Sequence, residues 1–276
     1  MSGKRILAVF CFGLLIIGSF WEWNVYNHWN QKTEENKEKN REEHRVEDVL
    51  AENKRDFNLE QAVLHEDTEE KKIAYLTFDD GPSFLTEEVL MILEKEDIRA
   101  TFFLIGSQIT EEEEELLKQM AEKGHVLGVH TYSHKSGEIY RSAEAYIEDA
   151  KKTADRIYEV TGEQPNIYRF PWGSVNCYVT GICDTVIEKM KADGYEYFDW
   201  NVSAEDSVGT PTKDSIIKNI KKDYGKYKEP VILMHDSASN KATVEALPEI
   251  IQMLKEDGYG FGTLDEREKT CHYSRK

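Results

Sequence analysis

Two short groups of polar residues in this chain have the composition of a hydrolytic metal site. Asp79 and Asp80 stand at the end of an apolar segment that begins at Ile73. His130 and His134 follow later in the chain, at the spacing of one helical turn. Imidazole nitrogens and a carboxylate oxygen can bind a divalent cation, while the second of two adjacent carboxylates stays off the cation and acts as a base. The pattern therefore predicts metal-assisted hydrolysis.

The composition argues against a nucleic-acid-binding role. The 276-residue chain has a formal net charge of −18, whereas the phosphates of nucleic acids require a basic surface. The length allows one large domain with appendages. An acidic domain binds anionic ligands poorly unless a metal supplies positive charge locally. We therefore expect no nucleic-acid partner.

Residues 1–29 have the pattern of a cytoplasmic tip followed by a membrane anchor. Lys4 and Arg5 precede an apolar run from Ile6 to Phe20. Aromatic residues follow the run, at Trp21, Trp23, Tyr26 and Trp29. A cleaved signal peptide is the alternative, but bulky residues stand where a cleavage site needs small ones. The basic flank, apolar core and aromatic belt predict an uncleaved single-pass transmembrane helix in the cell membrane, with the catalytic domain extracellular.

Residues 30–72 predict a charged stalk. The segment is dense in charged residues, and its few apolar side chains recur at roughly helical spacing. A dimerising coiled coil is the alternative, but the apolar repeat is too short for several heptads. We predict a solvated linker that holds a monomeric catalytic domain away from the membrane.

From Ile73 onward, strand patterns alternate with helix patterns. The predicted strands are 73–78, 100–105, 126–130, 167–170, 195–200 and 231–235. The predicted helices are 86–96, 111–123, 143–161, 184–193, 212–223 and 244–256. Six or seven such repeats predict an α/β fold with parallel strands, in a distorted (β/α)7-type barrel. Chemistry in such barrels lies at the C-terminal strand ends, where the motif residues fall.

Four motifs occur in a fixed order along this region. They are Thr77-Phe78-Asp79-Asp80-Gly81, His130-Thr131-Tyr132-Ser133-His134, Arg169-Phe170-Pro171-Trp172 and Ile232-Leu233-Met234-His235. In this order they resemble polysaccharide deacetylases, the NodB-homology or carbohydrate esterase 4 family, and most of all its bacterial peptidoglycan N-acetylglucosamine deacetylases. The resemblance covers residues 73–265 as one domain and leaves 266–276 as a C-terminal tail. Asp-Asp-Gly alone is a common turn, so the order of all four motifs carries the resemblance.

The resemblance implies a metal site and a base. Asp80, His130 and His134 would bind a divalent cation, with Zn²⁺ expected and Co²⁺, Ni²⁺ or Fe²⁺ also accepted by such ligands. Asp79 would be the general base. Arg169 would orient Asp79 and hold it ionised.

The resemblance also implies a general acid. His235 would protonate the departing amine, since an imidazole has its pKa near working pH. Asp206 aligns with the carboxylate that orients this histidine, and Asp236 is the alternative because it is adjacent in sequence. The usual fourth motif, Asp-x-x-Asp-Trp, has Ser203 and Ser207 in place of its first and last residues here. We therefore expect a groove wall that differs from the usual one.

Three further residues are implied to contact the substrate. Pro171 would rigidify its loop, and Leu233 would line the pocket for the acetyl methyl group. Trp172 would wall the sugar groove, and its backbone N–H would help to stabilise the oxyanion.

The implied function is removal of N-acetyl groups from a β-1,4-linked N-acetylhexosamine glycan. Peptidoglycan N-acetylglucosamine is the first choice, because an enzyme on a short stalk acts on polymer near the membrane. One alternative is an O-acetyl esterase of the xylan type, or a deacetylase of chitin or exopolysaccharide. Another is a non-catalytic glycan-binding module, supported only by the altered fourth motif.

The cysteines leave one question open. Cys177, Cys183 and Cys271 follow the predicted anchor, and their odd number leaves at least one outside a disulfide among them. Cys177 and Cys183 are close enough in sequence for a local disulfide, and the sequence is equally compatible with two thiols. Their spacing is not that of a zinc-binding cysteine pair.

Overall fold

A single parallel sheet organises the protein, whose computed structural model describes residues 71–274. Its strands are β1 (Ile73–Gly81), β2 (Thr101–Leu104), β3 (Val126–Val129), β4 (Ile167–Tyr168), β5 (Glu196–Tyr197), β6 (Val202–Ser203), β7 (Val231–His235) and β8 (Gly260–Gly262). The strand order is β5-β4-β3-β2-β1-β7-β6, and β8 pairs with the start of β1. This is an α/β fold with a parallel half-barrel sheet, which is consistent with the predicted (β/α)7-type barrel. Within residues 71–274, β5 and β6 do not pair with each other.

Helices follow each strand except β5, which a short loop joins to β6, and β8, the last strand. They are α1 (Phe84–Lys95), α2 (Glu114–Glu122), α3 (Ser136–Ile139), α4 (Ala143–Thr161), α5 (Cys183–Ala192), α6 (Lys213–Asp223) and α7 (Lys241–Glu256). Local capping fixes several ends. The Ser142 side chain accepts a hydrogen bond from Ala145 N–H at the start of α4, and Gly162 takes a left-handed φ of 77° at its end.

Alternation along β1 divides the core into two parts. Ala74, Leu76 and Phe78 belong to the larger apolar cluster, which also contains the buried faces of the helices. Tyr75 belongs to a smaller cluster on the other face of the sheet. Since side chains alternate along a strand, Asp79 lies on the same face as Tyr75. The fold therefore places the predicted base on the inner face of the sheet, at the C-terminal end of its central strand.

The observed elements follow the predicted pattern, and the differences are concentrated in short ones. The helix at 143–161 and the strand at 231–235 have the predicted bounds. The strands β6 and β8 and the helix α3 were not predicted. Elements of two to four residues carry too few side chains to show a period, and they form because neighbouring strands and helices hold them.

Two predictions concern residues that the structure does not describe. The membrane anchor at 1–29 lies outside the described residues, as does the charged stalk at 30–72 apart from its last two positions. Across residues 71–274, every helix is too short or too polar to cross a bilayer.

The segment predicted as a C-terminal tail packs against the sheet edge. The N–H of Asp199 donates to the carbonyl of Cys271 at 2.7 Å, and the N–H of Tyr273 donates to Asp199 Oδ2 at 2.8 Å. The His272 ring stacks on the Tyr197 ring, with centroids 3.7 Å apart and planes within 4°. These contacts fix the end of the described chain beside β5.

Candidate active site

The three predicted metal ligands converge at the C-terminal ends of β1 and β3. The ligand atoms of Asp80, His130 and His134 all lie within 4.8 Å of one another. Asp80 Oδ1 is 3.5 Å from His130 Nε2 and 3.3 Å from His134 Nε2. This oxygen is buried, and no residue in 71–274 donates a hydrogen bond to it. A buried acceptor without a donor, faced by two imidazole nitrogens, fits a divalent cation bound between the three side chains.

The environment of His130 suits a neutral ligand. Its Nδ1 lies 2.9 Å from the carbonyl oxygen of Arg169, which leaves Nε2 directed at Asp80. Burial lowers the pKa of His130 well below its usual range, and the charges of His134 and Arg169 lower it further. Because a metal binds the neutral imidazole, the ring is held in the binding form.

The two histidines lie on a loop and not on a helix, although their spacing is that of a helical turn. Strand β3 ends before His130, and His134 has a left-handed φ of 52°. Asp149, on α4, holds the loop between them: its Oδ1 accepts hydrogen bonds from the N–H groups of Tyr132 (2.5 Å) and Ser133 (3.0 Å). The loop between the two histidines is therefore held by the Asp149 side chain, and not by the backbone hydrogen bonds of a helix.

Arg169 is buried and orients the predicted base. Its Nη1 donates to Asp79 Oδ1 and to Thr77 Oγ1, both at 2.8 Å. Its Nε and Nη2 donate to the carbonyls of Phe198 (2.9 Å) and Asp199 (3.1 Å). The guanidinium is thus fixed by four acceptors from two segments, β1 and the residues that follow β5, and it presents one N–H group to Asp79.

The acidity of Asp79 reflects two opposing effects. Burial raises the pKa of this carboxyl above its usual value, and the charge and hydrogen bond of Arg169 oppose the rise. The expectation that Arg169 simply holds Asp79 ionised therefore left out burial, which is the larger effect. A carboxylate with a raised pKa is a stronger proton acceptor, as a general base requires.

His235 is adjacent to Asp79 in the sheet, and Asp206 fixes its ring. Asp79 and His235 are register partners on β1 and β7. Asp206 Oδ1 lies 2.7 Å from His235 Nδ1, and Asp206 Oδ2 accepts the backbone N–H of His235 at 2.7 Å. Thr243 Oγ1 and Asn240 Nδ2 donate to the carboxylate and the carbonyl of Asp206. The carboxylate is therefore held against the imidazole by residues of α7 and its N-terminal boundary.

The pKa of His235 is raised, and Asp206 rather than Asp236 is its partner. Burial alone would lower the pKa, but the hydrogen bond and charge of Asp206, with the charges of Asp79 and Asp80, raise it to about 9. Asp236 accepts a hydrogen bond from Thr86 Oγ1 at 2.5 Å, away from the imidazole. Asp236 follows the last residue of β7, and its carboxylate contacts Thr86 on α1 instead of the imidazole.

Of the three residues predicted to contact the substrate, Trp172 lies directly beside a predicted metal ligand. The Trp172 side chain is 47% exposed, and its ring centroid lies 4.8 Å from that of His134. No residue in the described part of the chain accepts a hydrogen bond from the backbone N–H of Trp172. The carbonyl of Pro171 accepts hydrogen bonds from Tyr140 Oη (2.8 Å) and from the side chain of Asn176 (3.0 Å). Leu233 is buried two residues before His235, on the same face of β7.

Comparison with known proteins decides the family. The family model described as polysaccharide deacetylase matches residues 66–198. A peptidoglycan-N-acetylglucosamine deacetylase of Bacillus cereus is 33% identical over 206 residues, which are 71% of this chain and 71% of that protein. The chain belongs to the polysaccharide deacetylase family.

Two further relatives agree with this assignment. The catalytic domain of peptidoglycan N-acetylglucosamine deacetylase from Eubacterium rectale matches with a TM-score of 0.70 and 31% identity, over 77% of this chain and 98% of that domain. A bifunctional xylanase/deacetylase of Pseudobutyrivibrio xylanivorans is 32% identical over 72% of this chain and 31% of that protein. The protein is thus a hydrolase with the fold of this family.

Strained backbone marks the site of this deacetylase. Six residues other than glycine have positive φ angles in 71–274, and four of them belong to the motifs: Asp80, Thr131, His134 and Trp172. Each such residue costs about 1–3 kcal/mol and persists only where surrounding contacts hold it. The tertiary structure therefore fixes two predicted metal ligands and Trp172 in conformations that a free loop would avoid.

Sequence reasoning did not assign several supporting residues of the deacetylase site. Thr77, Asp149 and Thr243 each hydrogen-bond a motif residue or the loop that carries one. For Thr77 a signal was present, because it precedes Asp79 by two positions on a strand and so shares its face. Asp149 and Thr243 lie on helices outside the motifs, and nothing local indicates their role.

The cysteines are not joined in the structure. Cys177 is exposed, whereas Cys183 is buried and its Sγ donates to the carbonyl of Ser174 at 3.4 Å. The sequence left open whether Cys177 and Cys183 form a disulfide, and in the structure both are thiols.

Proposed function

We propose that this protein hydrolyses the N-acetyl groups of a β-1,4-linked N-acetylhexosamine glycan, with peptidoglycan N-acetylglucosamine as the substrate. One observation carries the proposal. Three side chains that could hold a metal ion are flanked by a buried carboxylate held by Arg169 and by an imidazole held by Asp206. Amide hydrolysis requires a base and an acid, because water must lose a proton and the amine must gain one. Here the two candidate groups lie on adjacent strands.

Asp80, His130 and His134 would hold the metal, for which we propose Zn²⁺, with Co²⁺, Ni²⁺ or Fe²⁺ as substitutes. One carboxylate and two neutral imidazoles form a ligand set that these ions share. Such a cation lowers the pKa of water and polarises the acetamide carbonyl.

Asp79 accepts the proton of the attacking water. As the water oxygen bonds to the carbonyl carbon, its proton passes to the Asp79 carboxylate. Arg169 keeps the Asp79 carboxylate in place, since its Nη1 lies 2.8 Å from Asp79 Oδ1. The raised pKa of Asp79 favours this transfer.

His235 completes the reaction by protonating the leaving group. When the bond between carbonyl carbon and nitrogen breaks, the nitrogen takes a proton from the imidazolium and departs as the amine of glucosamine. A pKa of about 9 keeps His235 protonated at neutral pH. The N–H of Trp172 would donate to the developing oxyanion, and Leu233 would pack on the acetyl methyl group.

The proposed location follows from the N-terminal sequence. Residues 1–29 would anchor the chain in the cell membrane, and 30–72 would hold the catalytic domain outside the cell, as a monomer within reach of the wall. Two relatives are named for peptidoglycan deacetylation, which supports the same polymer for this chain.

Acetate release tests the proposal. The full-length protein is incubated with purified N-acetylated peptidoglycan before chelation, after chelation and after addition of Zn²⁺. We expect acetate release that chelation abolishes and Zn²⁺ restores. If the protein binds Zn²⁺ and releases no acetate from any N-acetylhexosamine polymer, the proposal is wrong.

A second candidate activity has support from one relative. The bifunctional xylanase/deacetylase is 32% identical to this chain, and an ester is an easier group to hydrolyse than an amide. Parallel assays on acetylxylan, chitooligosaccharide and peptidoglycan separate O-deacetylation from N-deacetylation. A higher kcat/KM on acetylxylan would favour the esterase.

A further inference from the structure

Exposed apolar side chains are concentrated on the segments that follow the C-terminal ends of the strands. Nine large apolar side chains are exposed in residues 71–274. Six of them lie on segments that follow β1, β3, β4 and β6 at their C-terminal ends: Phe84, Tyr132, Trp172, Val175, Tyr178 and Val208. Exposed apolar groups clustered at one end of a protein indicate a binding surface.

Tyr178 extends the aromatic surface away from the metal site. Its side chain is 53% exposed, and its ring centroid lies 5.5 Å from that of Trp172. Trp172 in turn lies 4.8 Å from His134. Tyr178 is therefore separated from a metal ligand by a single ring, that of Trp172.

Buried contacts support the Tyr178 ring. The ring is parallel to that of Tyr140, with planes within 2° and centroids 6.4 Å apart, and Tyr140 is buried. The side-chain oxygen of Asn176 accepts the N–H of Tyr178 at 2.8 Å. The side-chain nitrogen of Asn176 donates to the carbonyls of Gly173 (2.7 Å) and Pro171 (3.0 Å). The loop is thus tied to the Trp172 segment, and little conformational freedom remains to be lost when a ligand binds.

We propose that Tyr178 and Trp172 together bind a second sugar ring of the glycan, next to the residue whose acetamide is hydrolysed. The identity of the polymer in this inference rests on the proposed function. A pyranose ring presents an apolar C–H face, and a fixed aromatic ring offers a matching apolar surface with no charge. Because neither partner is charged, the acidic character of the protein does not oppose this contact.

Binding measurements with sugars of different length test the proposal. Full-length wild type, Tyr178→Ala, Tyr178→Phe and Tyr158→Ala are titrated by calorimetry with N-acetylglucosamine and with its β-1,4-linked tetramer. Tyr158 is the matched control, since it is also 53% exposed but lies on α4. We expect Tyr178→Ala to weaken tetramer binding about 3- to 10-fold, the size of one aromatic contact. Binding of the single sugar should not change.

The variants separate ring stacking from other roles of Tyr178. Tyr178→Phe should bind the tetramer like wild type, because it keeps the ring and loses only the hydroxyl. Tyr178→Gln, which keeps length but has no ring, replaces the alanine variant if circular dichroism shows that the latter is unfolded. The proposal is overturned if the ringless variant binds the tetramer as tightly as Tyr158→Ala does, or if wild type does not bind the tetramer.

Acetate release from the same tetramer is measured separately and reports on the proposed function. Wild-type binding that depends on Tyr178 without acetate release would refute the proposed activity and keep the subsite. Acetate release that is equal in Tyr178→Ala and wild type, with equal tetramer affinity, would keep the activity and remove the subsite.

Discussion

Replacing Asp206 with asparagine removes the negative charge that faces the His235 ring while the side chain keeps nearly the same size. In the wild-type protein the pKa of His235 is raised from its ordinary value of 6.5 to about 9. Burial opposes this rise, and Asp206 supplies both a hydrogen bond at 2.7 Å and a charge that favour it. Without that charge, burial remains, and only the charges of Asp79 and Asp80 oppose it. We therefore expect the pKa of His235 in Asp206→Asn to lie near or below 6.5.

The size of the effect depends on pH. A general acid acts in its protonated form, so the rate follows the protonated fraction of His235. At pH 8 this fraction is about 90% for a pKa of 9 and about 3% for a pKa of 6.5, which lowers the rate about 30-fold. At pH 6 the same change leaves about three-quarters of the acid protonated, so protonation accounts for less than a twofold loss.

The assay is the pH dependence of kcat for acetate release, from pH 5.5 to 9.5, with saturating metal. We expect the alkaline limb to move from near pH 9 in wild type toward pH 6.5 in Asp206→Asn. Asp236→Asn is the matched control: it changes the adjacent carboxyl, which contacts Thr86 and not the imidazole, so its alkaline limb should stay in place. An unchanged alkaline limb in Asp206→Asn, or an activity loss equal at pH 6 and pH 8, would refute the assignment of Asp206 as the group that sets the acidity of His235.

Four other predictions follow from the site and the core. His130→Ala removes a ligand, so bound metal measured by mass spectrometry and acetate release should be lost together; metal retained at wild-type stoichiometry would contradict the ligand set. Asp79→Asn should keep the metal and lower kcat about 10²- to 10⁴-fold, because proton transfer is lost; full activity would exclude Asp79 as the base. Arg169→Met leaves a buried carboxylate without its cation, and the free energy of unfolding in urea should fall by about 3–5 kcal/mol; a loss below about 1 kcal/mol would show that water replaces the guanidinium. Burial lowers the pKa of His125 from 6.5 to about 4. Below pH 6.5 the unfolded chain therefore takes up a proton that the folded protein does not, and the free energy of unfolding should fall by up to about 3 kcal/mol between pH 6.5 and 4. The urea midpoint of His125→Gln, measured over the same pH range, should change less than that of wild type.

Long periodic segments of the fold were predictable from local sequence. The helix at 143–161 has a serine cap directly before its start and a glycine directly after its end, and both signals are local to the segment. The strand at 231–235 is a short apolar run that ends at a histidine. Strands β6 and β8, by contrast, contain two and three residues. Their identity depends on the ladders they form with β7 and β1, and these partners are not visible in the local sequence.

The sequence by itself determined which chemical groups the site contains and the order in which they occur. The residue types at Asp79, Asp80, His130, His134 and His235 are the basis on which the sequence predicts metal-assisted hydrolysis. Parallel strands explain why they meet, since the C-terminal ends of such strands lie at one edge of the sheet.

Only the tertiary structure decided how these groups are held and how strongly they bind protons. It selected Asp206 over Asp236 as the partner of His235, because a contact across the fold outweighs adjacency along a strand. Burial in the folded protein raises the pKa of Asp79, and the degree of burial cannot be read from the local sequence. The tertiary structure also placed Tyr178 beside Trp172. Burial and contacts between distant segments depend on how the helices pack on the sheet, and for that reason they appear only when the whole chain is folded.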